Sequence, residues 1–343
     1  MSRHSTFDTR RSSGNLSRFA FHIPLVVAVL LLATCGGCGV PSFLITPVSS
    51  SSTLREHVVQ PGKGWSGRGK IVLIEVEGML LNARSGGFLQ PTENGVSAFA
   101  QQLDKAEADE DVRAIILRVN SPGGTVSASD TMYQRVVRFK QKSKKPVIAA
   151  TQDVAASGAY YVALGADKIV VQPTSVIGSI GVIFNTFDFS GSLAKIGAST
   201  EAIKSGALKD MGSPFKPLTD PERVVMQGMV DEYFARFRDL VSARRGLTGD
   251  RLRDVTDGRV FSGQNAVTLG LADQAGFLED AIELAKSTAK VPNADVILYK
   301  RPYGYSGSIY AKGETPQPQT NLVINLPNSK AFLPTGFYYL WEP

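Results

Sequence analysis

Histidine and cysteine are almost missing from this 343-residue chain. The histidines are His4, His22 and His57 and the cysteines are Cys35 and Cys38, all within the first 57 residues. A Ser-His-Asp triad or a Cys-His dyad in a folded core is therefore excluded. So is a zinc site built on His or Cys, and so are disulfides in the body of the chain. Charge of one sign is also lacking. Residues 1–40 hold four arginines and one aspartate, which leaves 33 basic against 30 acidic residues in the remainder. The net charge of +6 is thus largely a property of the first segment and is no argument for nucleic-acid binding. No G-x-x-x-x-G-K-[ST] loop is present, so nothing points to ATP. What remains is a globular composition, 43% hydrophobic and 20% charged, with enough length for a substantial core.

The chain opens with Arg3, Arg10, Arg11 and Arg18, followed by an uncharged run from Phe19 to Thr34. That run is short for a bilayer span, and a basic stretch before a short apolar one reads as an export signal. Leu32-Ala33-Thr34-Cys35 resembles a bacterial lipobox, with Cys35 the candidate for lipidation and Cys38 a rival. An uncleaved anchor and simple secretion are the other readings. Each places the body outside the cytoplasm, in the cell envelope and at or near a membrane. The expected organisation is a leader or anchor over 1–45, a flexible Ser/Gly/Pro-rich linker over 46–68, a catalytic body over 69–290 and an extension over 291–343.

From Gly69 onward strand and helix patterns alternate, which argues for an α/β core. Strands are expected at Ile71–Val76, Ala114–Val119, Val147–Thr151, Ile169–Val171 and Ile180–Phe184. Helices are expected at Gly95–Ala106, Val126–Lys140 and Leu278–Lys290. The longest helix starts at Thr219, where Thr219 and Glu222 fit a capping box, and Gly246 is placed to end it. Asn120-Ser121-Pro122-Gly123-Gly124 reads as a turn between strand and helix. The chain ends in A-F-L-P-T-G-F-Y-Y-L-W-E-P, too aromatic for a solvated tail; it is expected to dock on the body, a neighbouring subunit or the membrane.

Without histidine, the basic partner available to a serine nucleophile is lysine. At an ordinary pKa near 10.4 only about one lysine in 2,500 is neutral at pH 7, and burial raises that fraction. Ser157, in Ala155-Ala156-Ser157-Gly158-Ala159, sits on a sharp turn among small residues that would let a carbonyl approach. It serves equally as a helix cap. Gly123 and Gly124 can expose backbone N–H groups or simply make a turn. Ser179, in Gly178-Ser179-Ile180-Gly181, can orient an amine or only close a turn. Composition does not single out Lys209 from the other lysines of the body.

Taken in order, these segments resemble the signal peptide peptidase SppA (protease IV) family of serine peptidases. The resemblance rests on N-S-P-G-G at 120–124, A-A-S-G-A-Y-Y at 155–161, A-D-K-I at 166–169 and G-S-I-G-V at 178–182. It continues through S-G-A-L-K-D at 205–210, L-T-x-x-E-R at 218–223 and D-G-R-V-F-S-G-Q at 257–264. It implies a ClpP/crotonase-type α/β fold of stacked β-β-α units. It further implies Ser157 as nucleophile, Lys209 as general base 52 residues on, and Ser179 as the hydroxyl that orients the lysine. Gly124 and the Ser157 N–H would form the oxyanion hole. Ala159 stands where the family commonly has a second glycine. The implied substrates are cleaved signal peptides and other apolar peptides, cut after small or apolar residues. No cofactor, metal or nucleic acid is implied. Since the chain holds one copy of the domain, the resemblance implies a homo-oligomer, an octameric ring, in which neighbours supply Ser157 and Lys209 of one site. Competing readings are a stomatin-type membrane serine protease, an acyl-CoA hydratase or isomerase of the same fold, and a non-catalytic membrane scaffold.

Overall fold

The computed structural model describes residues 54–64, 69–83, 94–301 and 336–341. The expected leader, Cys35, Cys38 and most of the C-terminal extension lie outside the described residues. Among the described residues no helix is long and apolar enough to cross a membrane.

The centre of the fold is a run of parallel strands, β2 (Lys70–Leu80), β3 (Val112–Thr125) and β4 (Val147–Ala156). Their sequences are almost uninterrupted Val, Ile, Leu and Ala because both faces are covered. Val72, Ile74, Ile115, Leu117 and Val119 point to one side, where they meet α1 (Gly95–Ala108) and α2 (Val126–Ser143) through Phe99, Leu103, Met132 and Phe139. Ile71, Leu73, Ala114 and Ile116 point to the other, against Leu278, Ile282 and Ala285 of α8 (Leu278–Thr288). Between these lie the short helices α3 (Gly158–Ala163) and α4 (Ser190–Lys195), the long α5 (Asp220–Arg245), then α6 (Gly249–Val255) and α7 (Gly263–Thr268). Helix α5 begins with the expected capping box, in which the Thr219 N–H donates to Glu222 Oε2 at 3.0 Å, and it stops at Gly246 in the left-handed region. The alternating parallel strands and covering helices fit the ClpP/crotonase-type fold.

The sheet is wider than the sequence pattern suggests. β1 (Arg55–Gln60) runs antiparallel to β10 (Asp295–Lys300), and β10 runs parallel to β2. Part of the expected linker and part of the expected extension therefore belong to the sheet. On its other side the sheet continues from β4 to β5 (Lys168–Val171) and the two-residue β9 (Gln274–Ala275). Of the strand expected at 180–184 only 183–184 are extended, as part of β7 (Ile183–Asn185), while a separate strand not expected from the sequence, β6 (Val176–Gly178), precedes it and pairs with β4. The positive φ of Gly178 and Ser179 ends β6 and separates the two.

The turn expected at 120–124 is the end of β3 itself. Ser121 pairs with Ala155, after which β4 leaves the ladder, while Gly123 and Gly124 continue to pair with Met79 and Leu80 of β2. The edge of β3 that β4 vacates is taken by β11 (Gly336–Leu340), running antiparallel, with β7 on its far side.

Asp273 joins three parts of this frame. Its carboxylate accepts from the Ile169 N–H at 2.8 Å, from Arg245 Nη1 at 3.0 Å and from Lys168 Nζ at 3.1 Å. Burial alone would raise its pKa, but these donors outweigh burial and hold it below the usual carboxylate value. A carboxyl depressed in the folded state contributes stability above its unfolded pKa and loses it as pH falls through the folded pKa. Asp273→Asn is therefore expected to cost about 1–3 kcal/mol at pH 7. It is also expected to flatten the loss of stability in acid, as read by urea unfolding across pH 2–7.

Candidate active site

Three segments identified in the sequence end side by side. Ala156 of β4 pairs with Gly178 of β6, so Ser157 and Ser179 leave adjacent parallel strands at the same level. One pairing away on the opposite side, Ser121 faces Ala155 and leads into Gly123 and Gly124. Parallel neighbours stand about 4.8 Å apart, so this register alone brings Gly124, Ser157 and Ser179 together.

Ser157 has the backbone of a forced turn. Its φ of 50° and ψ of −117° lie outside the regions that L-residues normally occupy. Its side chain caps nothing: α3 has no side-chain cap hydrogen bond, and the Ser157 Oγ is buried without a partner. A buried hydroxyl left unpaired costs about 1–3 kcal/mol, which argues against a purely structural serine. Ser179 shares the strain, with φ of 48°, and its N–H donates to the Arg259 carbonyl at 2.8 Å.

The expected oxyanion pair needs one correction. The Ser157 N–H donates to the Gly178 carbonyl at 2.7 Å and so does not point at a bound substrate. The donor that stands beside Gly124 is the next one along, Gly158. Being the first residue of α3, its N–H has no acceptor within the helix. A Cβ built on Gly158 would fall 3.2 Å from the Gly124 nitrogen, and one built on Gly123 would fall 2.7 Å from the Gly158 nitrogen. These glycines thus line a crevice that holds one carbonyl oxygen, that of Tyr339. Ala159, the departure from the family pattern, is fully buried in the core. Sequence reading missed Gly158 because the direction of an N–H depends on which distant carbonyl has already taken its neighbour.

Lys209 does not join the group within one chain. It lies in an exposed turn whose backbone N–H donates to the Gly206 carbonyl at 3.1 Å, and it is no partner of the unpaired Ser157 Oγ. The adjacent Asp210 is occupied by other lysines, accepting from Lys204 at 2.7 Å and pairing with Lys216 at 3.2 Å. The hydrogen bond from Lys204 holds the Asp210 carboxyl below its ordinary pKa. The segment around Lys209 is conspicuously bare: Phe189, Ile196, Ile203, Leu208, Phe215 and Val224 are all exposed. Among the described residues, no group of three or more His, Cys, Asp or Glu is arranged to hold a metal.

Comparison with known proteins gives this arrangement its class. The profile described as Clp protease matches residues 68–177, and that described as Peptidase family S49 matches residues 139–292. The assigned signal peptide peptidase SppA of Enterococcus faecium is 34% identical over 250 residues, covering 73% of this chain and 72% of that protein. An assigned protease of Methanocaldococcus jannaschii is 38% identical over 197 residues, 57% of this chain and 63% of its own length. Protease 4 of Haemophilus influenzae is 34% identical over 218 residues, but the match spans only 34% of that longer protein. The chain belongs to peptidase family S49, the SppA family, and is a serine protease.

Gly124 gives a direct test of the crevice. A methyl group there would lie 2.0 Å from the Leu80 carbonyl oxygen and 2.6 Å from the Leu80 nitrogen, both backbone atoms. Gly124→Ala must push β3 away from β2 beside Ser157. The expected result is a fall of about 10²–10³ in kcat with the far-ultraviolet circular dichroism spectrum retained.

Proposed function

We propose that Ser157 and Lys209 form a Ser-Lys dyad and that the protein hydrolyses peptides through an acyl-enzyme. The observation that carries this reading is Ser157 itself: a strained, buried, unpartnered hydroxyl beside two backbone donors, in a chain of a serine protease family. In this scheme the neutral Lys209 amine takes the Ser157 proton as Oγ attacks the scissile carbonyl. The developing oxyanion is bound by the N–H groups of Gly124 and Gly158. The proton then passes to the leaving amine. Water attacks the resulting ester, Lys209 accepts its proton, and Ser157 is regenerated with release of a carboxylate product. Ser179 orients the lysine.

Within one chain Lys209 is exposed and no partner of Ser157, so a further surface has to bring it to the serine. A second copy of the chain is the occupant that does this. The exposed Ile196, Ile203, Leu208 and Phe215 around Lys209 form an apolar surface suited to a neighbour, and burial there would favour the neutral amine. In the resulting homo-oligomer, an octameric ring, each site takes Ser157 from one protomer and Lys209 from the next. Such a contact is head-to-tail and closes by rotation.

The substrates proposed are cleaved signal peptides and other apolar peptides. The names of the Enterococcus and other relatives support the peptidase class, and the apolar character follows from the surface around the site. The leader reading places the ring at a membrane in the cell envelope, tethered through Cys35 or an uncleaved anchor.

Ser157→Ala and Lys209→Ala are each expected to abolish cleavage of a fluorogenic apolar peptide. Co-expressed, the two inactive variants should regain activity. With random mixing about a quarter of the sites join an intact serine to an intact lysine of the neighbour. Activity absent from the mixture, with both variants assembled, would overturn the shared site. Activity in Ser157→Ala alone would overturn the nucleophile.

A further inference from the structure

The segment S-G-A-L-K-D carries, next to the proposed base, a carboxylate that ought to harm it. An unscreened Asp210 would favour the ammonium of Lys209 and raise its pKa, the opposite of what a general base near neutrality needs. The structure shows where that negative charge is spent. Asp210 Oδ1 accepts from Lys204 Nζ at 2.7 Å and stands 3.2 Å from Lys216 Nζ. Its side chain is only 16% exposed. Among the described residues Asp210 is thus paired with Lys204 and Lys216 and not with its neighbour Lys209.

The same two lysines reach further. Lys204 Nζ donates to the Ala207 carbonyl at 3.2 Å, two residues before Lys209. Lys216 Nζ pairs with Glu222 Oε1, and the other oxygen of that buried carboxylate accepts the Thr219 N–H at the start of α5. Lys204, Asp210, Lys216 and Glu222 therefore run as alternating charges from the turn that carries Lys209 to the first turn of the long helix. Lys204 holds the Asp210 carboxyl, and Lys216 the Glu222 carboxyl, below their ordinary values, while Glu222 holds Lys216 above its own. Asp210, Lys216 and Glu222 thus stay charged at the pH where a working base titrates. The other charges nearby are committed or screened. Asp188, in the same hollow as Lys216 and Glu222, accepts from the Ser190 N–H at 2.9 Å and its hydroxyl at 2.6 Å. Glu201, Asp220 and Arg223 are exposed. On the Ser157 and Ser179 side, Asp130 pairs with Arg236 and Asp257 with Arg259.

We infer that Lys204 and Lys216 are positioning residues for Lys209. Together they neutralise Asp210, so that the base beside it can shed its proton, and they tie its turn to the start of α5. The inference rests on Lys209 being the general base.

The test is the pH dependence of kcat/KM of the full chain on a fluorogenic apolar peptide, whose acid limb reports the base in the free enzyme. Removing either cation leaves Asp210 unbalanced and favours the ammonium. Lys204→Met and Lys216→Met are each expected to move the limb up by about half to one pH unit, the size of one unit charge a side-chain length away near the surface. Asp210→Asn is expected to move it down by a similar amount, and Lys216→Arg to leave it in place. The shifts should shrink in 1 M salt, roughly as the screening length falls to about 3 Å. Opposite signs separate charge from structure, since a variant that only loosens the turn lowers the plateau without moving the limb. Lys204 lies outside α5, so its variant decides even where Lys216→Met does not fold. Limbs that coincide with wild type in Lys204→Met and Asp210→Asn, or that move in the same direction, would overturn the inference. Activity in Lys209→Ala would instead overturn the dyad on which it rests.

Discussion

Ala155 and Ala156 hold the site together. Ala155 pairs with Ser121 on one flank and Ile177 on the other, and Ala156 pairs with Gly178. Three chain segments separated by dozens of residues are locked at one level by these few backbone pairs. Small side chains are needed there because α3 turns back immediately behind them: a Cβ on Gly158 would already come 2.3 Å from the Ser129 hydroxyl. The strain at Ser157 is carried by this register. The Gly178 carbonyl accepts the Ser157 N–H at 2.7 Å and ties the turn to β6. A slip by one residue would turn Gly124 and Ser157 to opposite faces and dissolve the crevice.

The two halves of the proposed dyad are stabilised by different means. Ser157 belongs to the best-packed part of the molecule, where the sheet is covered on both faces. Lys209 belongs to a segment with little core of its own, followed by a helix whose first half is largely exposed. Of the apolar residues of α5, only Phe237 and Val241, both in its second half, are buried. The periodicity that made 219–246 legible as a helix therefore outruns the core of a single chain. Val224 and Val225 in its first half remain exposed.

The parts legible in the sequence were those set by local chemistry. The central strands could be read from uninterrupted Val, Ile and Leu, the long helix from Thr219, Glu222 and Gly246, and the sharp turn at Ser157 from the small residues Ala155 to Ala159. Long-range pairing was not legible. The D-V-I-L-Y-K run of β10 is too short to show a period, and its partners, 55–60 and 70–73, lie more than two hundred residues away. The N–H of Ser157 was misread because its acceptor is twenty-one residues downstream. The aromatic end of the chain was recognised as destined for a surface, but no local signal could say that this surface was the edge of β3.

The pairing of β1 with β10 also fixes where the chain leaves the sheet. Residue 301 departs beside β10, three strand spacings or about 15 Å across the sheet from β11. The 34 residues from 302 to 335 have a contour length of about 110 Å. The connection is therefore far longer than its own groove requires. The strand Gly336–Leu340 is thus held at the edge of β3 by its own pairs with β3 and β7 and not by a short turn from the preceding strand.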